Sequence, residues 1–579
     1  PNIERHERDL AEFVKRGNIG DYGAIFTTYN QMAALDSGKP RRDKSGVKKD
    51  AAPPKFAYRN EFLQAMVNNN AMLILDESHN AGSAGDGKFP KVGDVVRLLV
   101  RKAGSVFYSS ATFAKNPSVM DVYSKTDLGQ AFTSADQLSA ALSSVPQQQV
   151  ASSMLVENGQ YIRRERSFDG IEYKIQEVES DTQAAEDVST AMRLVVEFDD
   201  AKKAAVNALK DDMDAQGATI AAAGGGGSLG SVDSTNFTSV MHNVINTFLL
   251  SLKADAAADV AIAAIKAGEK PVLTVANTME MFIRDYAESA GLSAGDRLNA
   301  TFGDVLMRYL EKTRKVRITG PNGDSETKIL TAEELGPDGV AAYESAREFI
   351  ASLNLEIPLS PIDHIKERIA DAGYSIGEVT GRQSVVERGV IRPRNKAEMN
   401  TAGKKNTIAK FNGGQLDALI INRSGSTGLS MHASETFPDQ RRRVMVVAQA
   451  ELDINNHMQM LGRINRTGQV TANGKSPAQN AIYGLPRYVQ LTANVPIELR
   501  PAAVLAAKMA SLSANTTAGR KSAVEDSSAP DFMNKYGDEV AALVVGNDPE
   551  LNKRLGYPIS IDMNGVPETL NAISKVTGR

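Results

Sequence analysis

The chain has 579 residues, 42% of them apolar and 23% charged, the balance of an ordinary globular protein of about three or four domains. Its 66 basic and 70 acidic side chains leave a net charge of −4, which excludes a uniformly basic nucleic-acid binder but not a local basic groove. Cysteine is absent, so disulfides, thiolate zinc sites and cysteine nucleophiles are excluded together.

In chain order, Gly23–Tyr29 (GAIFTTY) reads as a strand, rich in β-branched and aromatic residues. Ala71–Leu75 and Ser105–Tyr108 read the same way, with helical stretches at Arg59–Asn68 and Val92–Arg101. Strands alternating with helices predict a parallel α/β sheet. Residues 181–217 change character, rich in Ala, Asp, Glu and Lys with apolar positions at helical spacing. A Gly-rich break at 221–228 and a further helical stretch at 236–267 follow. A second α/β series has strands at Pro271–Ala276, Ser375–Val379, Leu416–Asn422, Arg443–Gln449 and Tyr488–Thr492, interrupted by helical material at 279–355. The last 80 residues read as mostly helical. The expected division is therefore a first sheet domain at 1–180, a helical insertion or bridge at 181–267, a second sheet domain at 268–495 and a helical region at 496–579. No apolar run reaches the length of a membrane span, and no signal peptide opens the chain.

The strongest local signal is Leu73-Ile74-Leu75-Asp76-Glu77-Ser78-His79. A hydrophobic strand delivers two adjacent carboxylates to its carboxyl end, where ligands of parallel sheets bind. In phosphoryl-transfer sites one such carboxylate holds Mg²⁺ and another orients or deprotonates the attacking water; a solvated turn is the competing reading. Ser109-Ser110-Ala111-Thr112 follows the next strand, and its hydroxyls either bond the carboxylate pair or cap a helix. Downstream, Gln459-Met460-Leu461-Gly462-Arg463-Ile464-Asn465-Arg466 places two arginines three apart, on one face if helical. Paired guanidiniums suit a γ-phosphate, and Gly462 would let a ligand approach. Ser424-Gly425-Ser426-Thr427-Gly428 offers exposed amides and hydroxyls to phosphate.

In this order and spacing, the motifs resemble those of superfamily-two helicases and translocases. Ala24–Tyr29 (AIFTTY), Leu73–Ser83 (LILDESHNAGS), Tyr161–Phe168 (YIRRERSF), Lys270–Thr278 (KPVLTVANT), Val379–Arg382 (VTGR), Gly425–Ala433 (GSTGLSMHA) and Arg463–Gln469 (RINRTGQ) resemble the strawberry-notch-like group, over roughly residues 20–490. The resemblance implies two RecA-like domains with ATP in the cleft between them and Mg²⁺ as cofactor. It implies Asp76 on Mg²⁺, Glu77 on water, Arg463 and Arg466 as arginine fingers, and Gln459, His79, Ser110 and Thr112 coupling nucleotide state to closure. Gly425, Gly428 and Gly462 would approach the nucleotide. Thr28, Tyr29, Thr380, Gly381, Arg382, Ser426 and Thr427 would lie along the nucleic acid, DNA in preference to RNA.

One departure stands out. No GxxxxGK[ST] phosphate loop occurs in the sequence. Gly82–Lys88 fits the spacing but is followed by Phe89, which lacks the hydroxyl, and Gly468–Ser476 is one residue too long. With Pro1 in place of Met, the expectation is a chain that starts after that loop. The loop would then lie in the rest of the polypeptide or in a partner chain, and this stretch alone would hydrolyse ATP poorly. The competing class is a non-catalytic, motor-derived DNA-binding or structural module. Relatives fused to methyltransferases in phage and plasmid proteins suggest a bacterial or phage-infected cytoplasm, or a virion. Three basic stretches, Lys39–Lys55, Arg382–Lys410 and Arg441–Arg443, read either as phosphate-backbone tracks or as solvated loops.

Overall fold

The computed structural model describes residues 9, 12–16, 23–29, 57–82, 92–110, 117–132, 134–142, 145–162, 171–222, 231–234, 237–319, 325–355, 357–423, 429–451, 453–466, 468–470, 483–496, 498–505, 535–555, 557–562 and 565–577. The chain divides into two compact units, Pro1–Phe168 with Ala506–Asp526, and Asp169–Leu505 with Ser527–Arg579.

In the first unit, α1 (Ala57–Asn68) leads into β1 (Leu73–Asp76), and α2 (Val92–Lys102) leads into β2 (Val106–Ser109). β1 and β2 pair in parallel, with Asp76 opposite Ser109. Parallel neighbours need a crossover, and α2 supplies it. Val96 and Val100 of α2 share one face and are fully buried in a core with Leu75, Met120 and Tyr123. Gly23–Thr28 differs from expectation: it joins no ladder, and Phe26 is 96% exposed. Its composition favours extended backbone, but a strand is made by cross-strand pairing, which composition alone does not supply.

The second unit is built on a six-stranded parallel sheet. Its strands are β3 (Glu172–Val178), β4 (Lys270–Thr274), β5 (Ile376–Val379), β6 (Ala418–Ile421), β7 (Arg443–Val447) and β8 (Arg487–Ala493), in the order β3-β8-β7-β4-β6-β5. β4, β6 and β7 bury every residue, so their sequences are continuous rather than alternating runs, as strands covered on both faces require. β3 pairs with β8 from Glu172–Arg487 to Val178–Ala493. Residues 172–178 thus belong to the second unit's sheet, where the sequence reading placed them in a first domain running to 180.

Helices make up most of the rest of this unit. α3 (Thr182–Ala222) packs along α6 (Ala332–Ser352) and buries Val188, Ala191, Val195 and Phe198 with Phe302 and Leu306. α4 (Phe237–Leu252) leads into α5 (Ala254–Lys266), which lays Ala254, Ala257, Ala258, Ala261 and Ala264 in one core with Leu273, Ile420 and Val444. Strands 231–234, 315–319 and 325–329 form a separate antiparallel sheet, so the stretch 279–355 is not purely helical. After 534, helices Lys535–Gly546, Pro549–Arg554 and Ala572–Thr577 close a small core around Ala542, Val545 and Ile559. No described helix is long and apolar enough to cross a membrane.

Candidate functional site

In the first unit the carboxylates emerge where β1 ends. Leu75 is buried and anchors the strand, while Asp76 beyond it is exposed. The chain then turns sharply: Glu77 has φ +50°, and Ser78–Gly82 forms a 3₁₀ turn. His79 Nδ1 lies 3.4 Å from Glu77 Oε2 and shares a 2.8 Å hydrogen bond with Ser110 Oγ. Ser110, expected to bond the carboxylate pair, thus reaches it through His79. Burial, and then the charge of Asp76, push the Glu77 carboxyl above its usual range. Tyr29 was expected along the nucleic acid; its hydroxyl instead donates to the Asp76 carbonyl at 2.7 Å. Thr28 is exposed in the segment leading to it. Thr112 lies outside the described residues.

In the second unit the arginines follow α8 (Ile454–Leu461). The helix ends before them, so Arg463 and Arg466 do not share a helical face as expected. They converge instead on the segment after residue 428. Arg463 Nη1 donates to Leu429 O at 3.2 Å, and Arg466 Nη1 donates to Ser430 Oγ at 2.9 Å. Arg466 Nε closes back on Gly462 O. A Cβ on Gly462 would come within 3.3 Å of Met458 O, so local crowding already favours glycine there. Arg463 is 6% exposed, and its Nε has no hydrogen-bond partner among the described residues. Burial and then the neighbouring Arg466 push its guanidinium down to about 10. Among the described residues no carboxylate pairs with either arginine. Gln459 is exposed on α8. Gly425, Ser426, Thr427 and Gly428 lie outside the described residues.

The Val379–Arg382 motif has a different role from the one expected. Thr380 and Arg382 are fully buried. Arg382 bridges Asp363 on α7 (Pro361–Asp371) and Glu378 on β5 through four hydrogen bonds of 2.5–2.7 Å. Thr380 Oγ1 donates to Glu378 as well. Neither side chain is available to nucleic acid, which leaves only the backbone at Gly381 for that role. The other basic stretches, which the sequence left open between phosphate-backbone tracks and solvated loops, are partly internal. Arg443 is fully buried, Arg441 pairs with Asp439, and Arg442 donates to Leu485 O. In Arg382–Lys410, Arg394 bonds Glu378, and Arg388 and Arg392 sit in surface ion pairs. Lys396, Lys405 and Lys410 are exposed, with no ion pair among the described residues. Lys39–Lys55 lies outside the described residues.

A group that sequence reasoning passed over is His457 on α8, 2% exposed and with no partner for Nε2 among the described residues. It lines a small cavity with Thr274, Gln449 and Glu451 beyond the ends of β4 and β7. Burial holds its imidazole down at about 4. Between that value and the ordinary 6.5 the unfolded chain binds a proton that the folded one does not, so stability falls as pH drops through this window. The loss is expected to approach about 3 kcal/mol by pH 4. Denaturant unfolding of wild type and His457→Phe across pH 4–7 checks this, with the variant's profile expected to be flatter.

Two family models match the chain. Residues 8–188 match the P-loop containing NTP hydrolase pore-1 family, and residues 360–546 match the C-terminal domain on Strawberry notch homologues. These place the protein in the class of helicase-type P-loop NTP hydrolases. Protein strawberry notch homolog 1 of Rattus norvegicus is 22% identical over 84% of this chain and 43% of its own length. Protein strawberry notch homolog 2 of Mus musculus is 27% identical over 42% of this chain and 18% of its own. Protein FORGETTER 1 of Arabidopsis thaliana is 28% identical over 30% of this chain and 13% of its own. The chain belongs to the strawberry-notch-like helicase group, and it spans about two fifths of the length of the rat relative. The Hef helicase domain of Pyrococcus furiosus aligns over 74% of this chain and 72% of its own, at 10% identity and a TM-score of 0.25, too slight a likeness to bear on the fold.

Proposed function

We propose that this chain is the motor part of an ATP-dependent nucleic-acid helicase or translocase acting on DNA in preference to RNA. The observation that carries the reading is the pair Arg463 and Arg466. Two converging guanidiniums, one of them buried, have no carboxylate among the described residues to neutralise them, and an anion with charge spread over several oxygens satisfies both. A γ-phosphate is such an anion.

Asp76 and Glu77 fit the other half of the chemistry. Among the described residues no cluster of three or more His, Asp or Glu could cage a metal. One or two strand-end carboxylates suit Mg²⁺, which keeps its waters and takes the rest of its ligands from phosphate. When bound, Mg²⁺ neutralises developing phosphate charge. Asp76 is exposed and can hold it. Glu77 has a raised affinity for a proton and is suited to accept one from water. His79 ties Glu77 to Ser110, so a shift at one is felt by the other.

The test is ATP hydrolysis by the full natural polypeptide with duplex DNA, single-stranded DNA, RNA or no nucleic acid. DNA-stimulated hydrolysis is expected, with Arg466→Ala lowering kcat by about 10³-fold. Salt-dependent DNA binding without hydrolysis, unchanged by Arg466→Ala, would establish the non-catalytic module instead.

A further inference from the structure

Glu77 is the one member of the carboxylate motif held in the left-handed region, at φ +50°. Residues other than glycine and asparagine rarely adopt it, and such strain persists only where the surroundings impose it. Two phenols reach the segment from distant parts of the chain. On the near side of Glu77, the Tyr29 hydroxyl donates to the Asp76 carbonyl at 2.7 Å. On the far side, the Tyr123 hydroxyl lies 3.0 Å from Ser78 Oγ, whose residue is fully buried. Tyr123 is itself fixed edge-on against Tyr108 at 5.0 Å, and Tyr108 donates to Val122 O. Between the two clamps, Asn80 N–H closes the turn onto Glu77 O at 2.9 Å.

We propose that Tyr29 and Tyr123 are positioning residues that hold Glu77 in its left-handed conformation and so deliver its carboxylate beside His79 and Asp76. The consequence for hydrolysis rests on the proposed function; the conformational claim does not. Burial raises both phenols, Tyr123 to about 12, so each keeps its proton at neutral pH and can serve as a donor.

Two experiments on the full polypeptide test it. Tyr123→Phe keeps the ring against Tyr108 but strands the buried Ser78 hydroxyl, so it lowers stability. Ser78→Ala with Tyr123→Phe removes both partners and restores most of that stability. If the contact positions Glu77, kcat for ATP falls about tenfold in both variants with KM unchanged. Recovery of kcat along with stability in the double variant would overturn the proposal. The second experiment needs no activity. Glycine adopts φ +50° freely, so Glu77→Gly raises the first unit's Tm by about 2 °C. In a Tyr29→Phe, Ser78→Ala, Tyr123→Phe background, where neither phenol clamps the segment, that gain disappears. An equal gain in both backgrounds overturns the clamp, while an inactive wild type that still shows the lost gain overturns only the hydrolysis reading.

Discussion

Replacing Glu77 by Gln is expected to lower kcat for ATP hydrolysis by about 10²–10⁴-fold while leaving nucleotide binding intact, because the amide keeps the shape of the side chain but cannot take a proton. Steady-state hydrolysis and nucleotide titration of the same preparation check both halves. A loss of binding in step with kcat would mean that Glu77 supports the fold or the nucleotide rather than the water. The acid side of the pH profile carries a second signature. Burial and the Asp76 charge raise the Glu77 carboxyl, so activity falls at a pH above the ordinary carboxylate range. The folded state binds this proton more tightly than the unfolded one. Its contribution to stability therefore grows as pH falls through the folded pKa, opposite to activity.

The second large effect concerns Arg382. Its guanidinium is fully buried between Asp363 and Glu378. Burial alone would raise Glu378, yet Arg382, Lys366 and Arg394 hold its carboxyl well below the usual range. Arg382→Ala removes the cation common to both carboxylates and leaves Asp363 without its guanidinium. The expected loss is about 3–5 kcal/mol in the second unit, read by denaturant unfolding. Arg382→Lys recovers only part, since a single ammonium cannot match two forked contacts. If Arg382→Ala instead left stability unchanged and weakened DNA binding, the buried network would be refuted and the sequence expectation restored.

This contrast shows what local sequence carries. The strands at Lys270–Thr274, Ala418–Ile421 and Arg443–Val447 were readable because burial on both faces leaves consecutive apolar residues, Pro271–Leu273, Ala418–Ile421 and Val444–Val447, where a half-covered strand would alternate. The carboxylate pair was readable because a strand end is itself a local feature. The role of Arg382 was not, because Asp363 lies 19 residues upstream, on a helix whose packing no motif encodes. Nor was Tyr123, which meets Ser78 across 45 residues. The edge strand Glu172–Val178 did carry a signal. Tyr173 and Ile175 alternate with Lys174 and Gln176, the period of a half-covered strand, but the boundary was set at the change of composition after residue 180. The arginines were identified by spacing, while their geometry depended on α8 ending at Leu461.

The alanine face of α5 has a mechanical consequence. Ala254, Ala257, Ala258, Ala261 and Ala264 all turn into the sheet core, and none has a rotamer to change. That layer gives up no side-chain entropy on folding, and close packing leaves it no alternative arrangement. One face of the sheet therefore rests on a stiff floor. A response of this unit to an occupied site is therefore expected in the segments beyond the strands' carboxyl ends, where Gln449 links Ala276 to Asn246 and, separately, Arg463 and Arg466 bond Leu429 and Ser430.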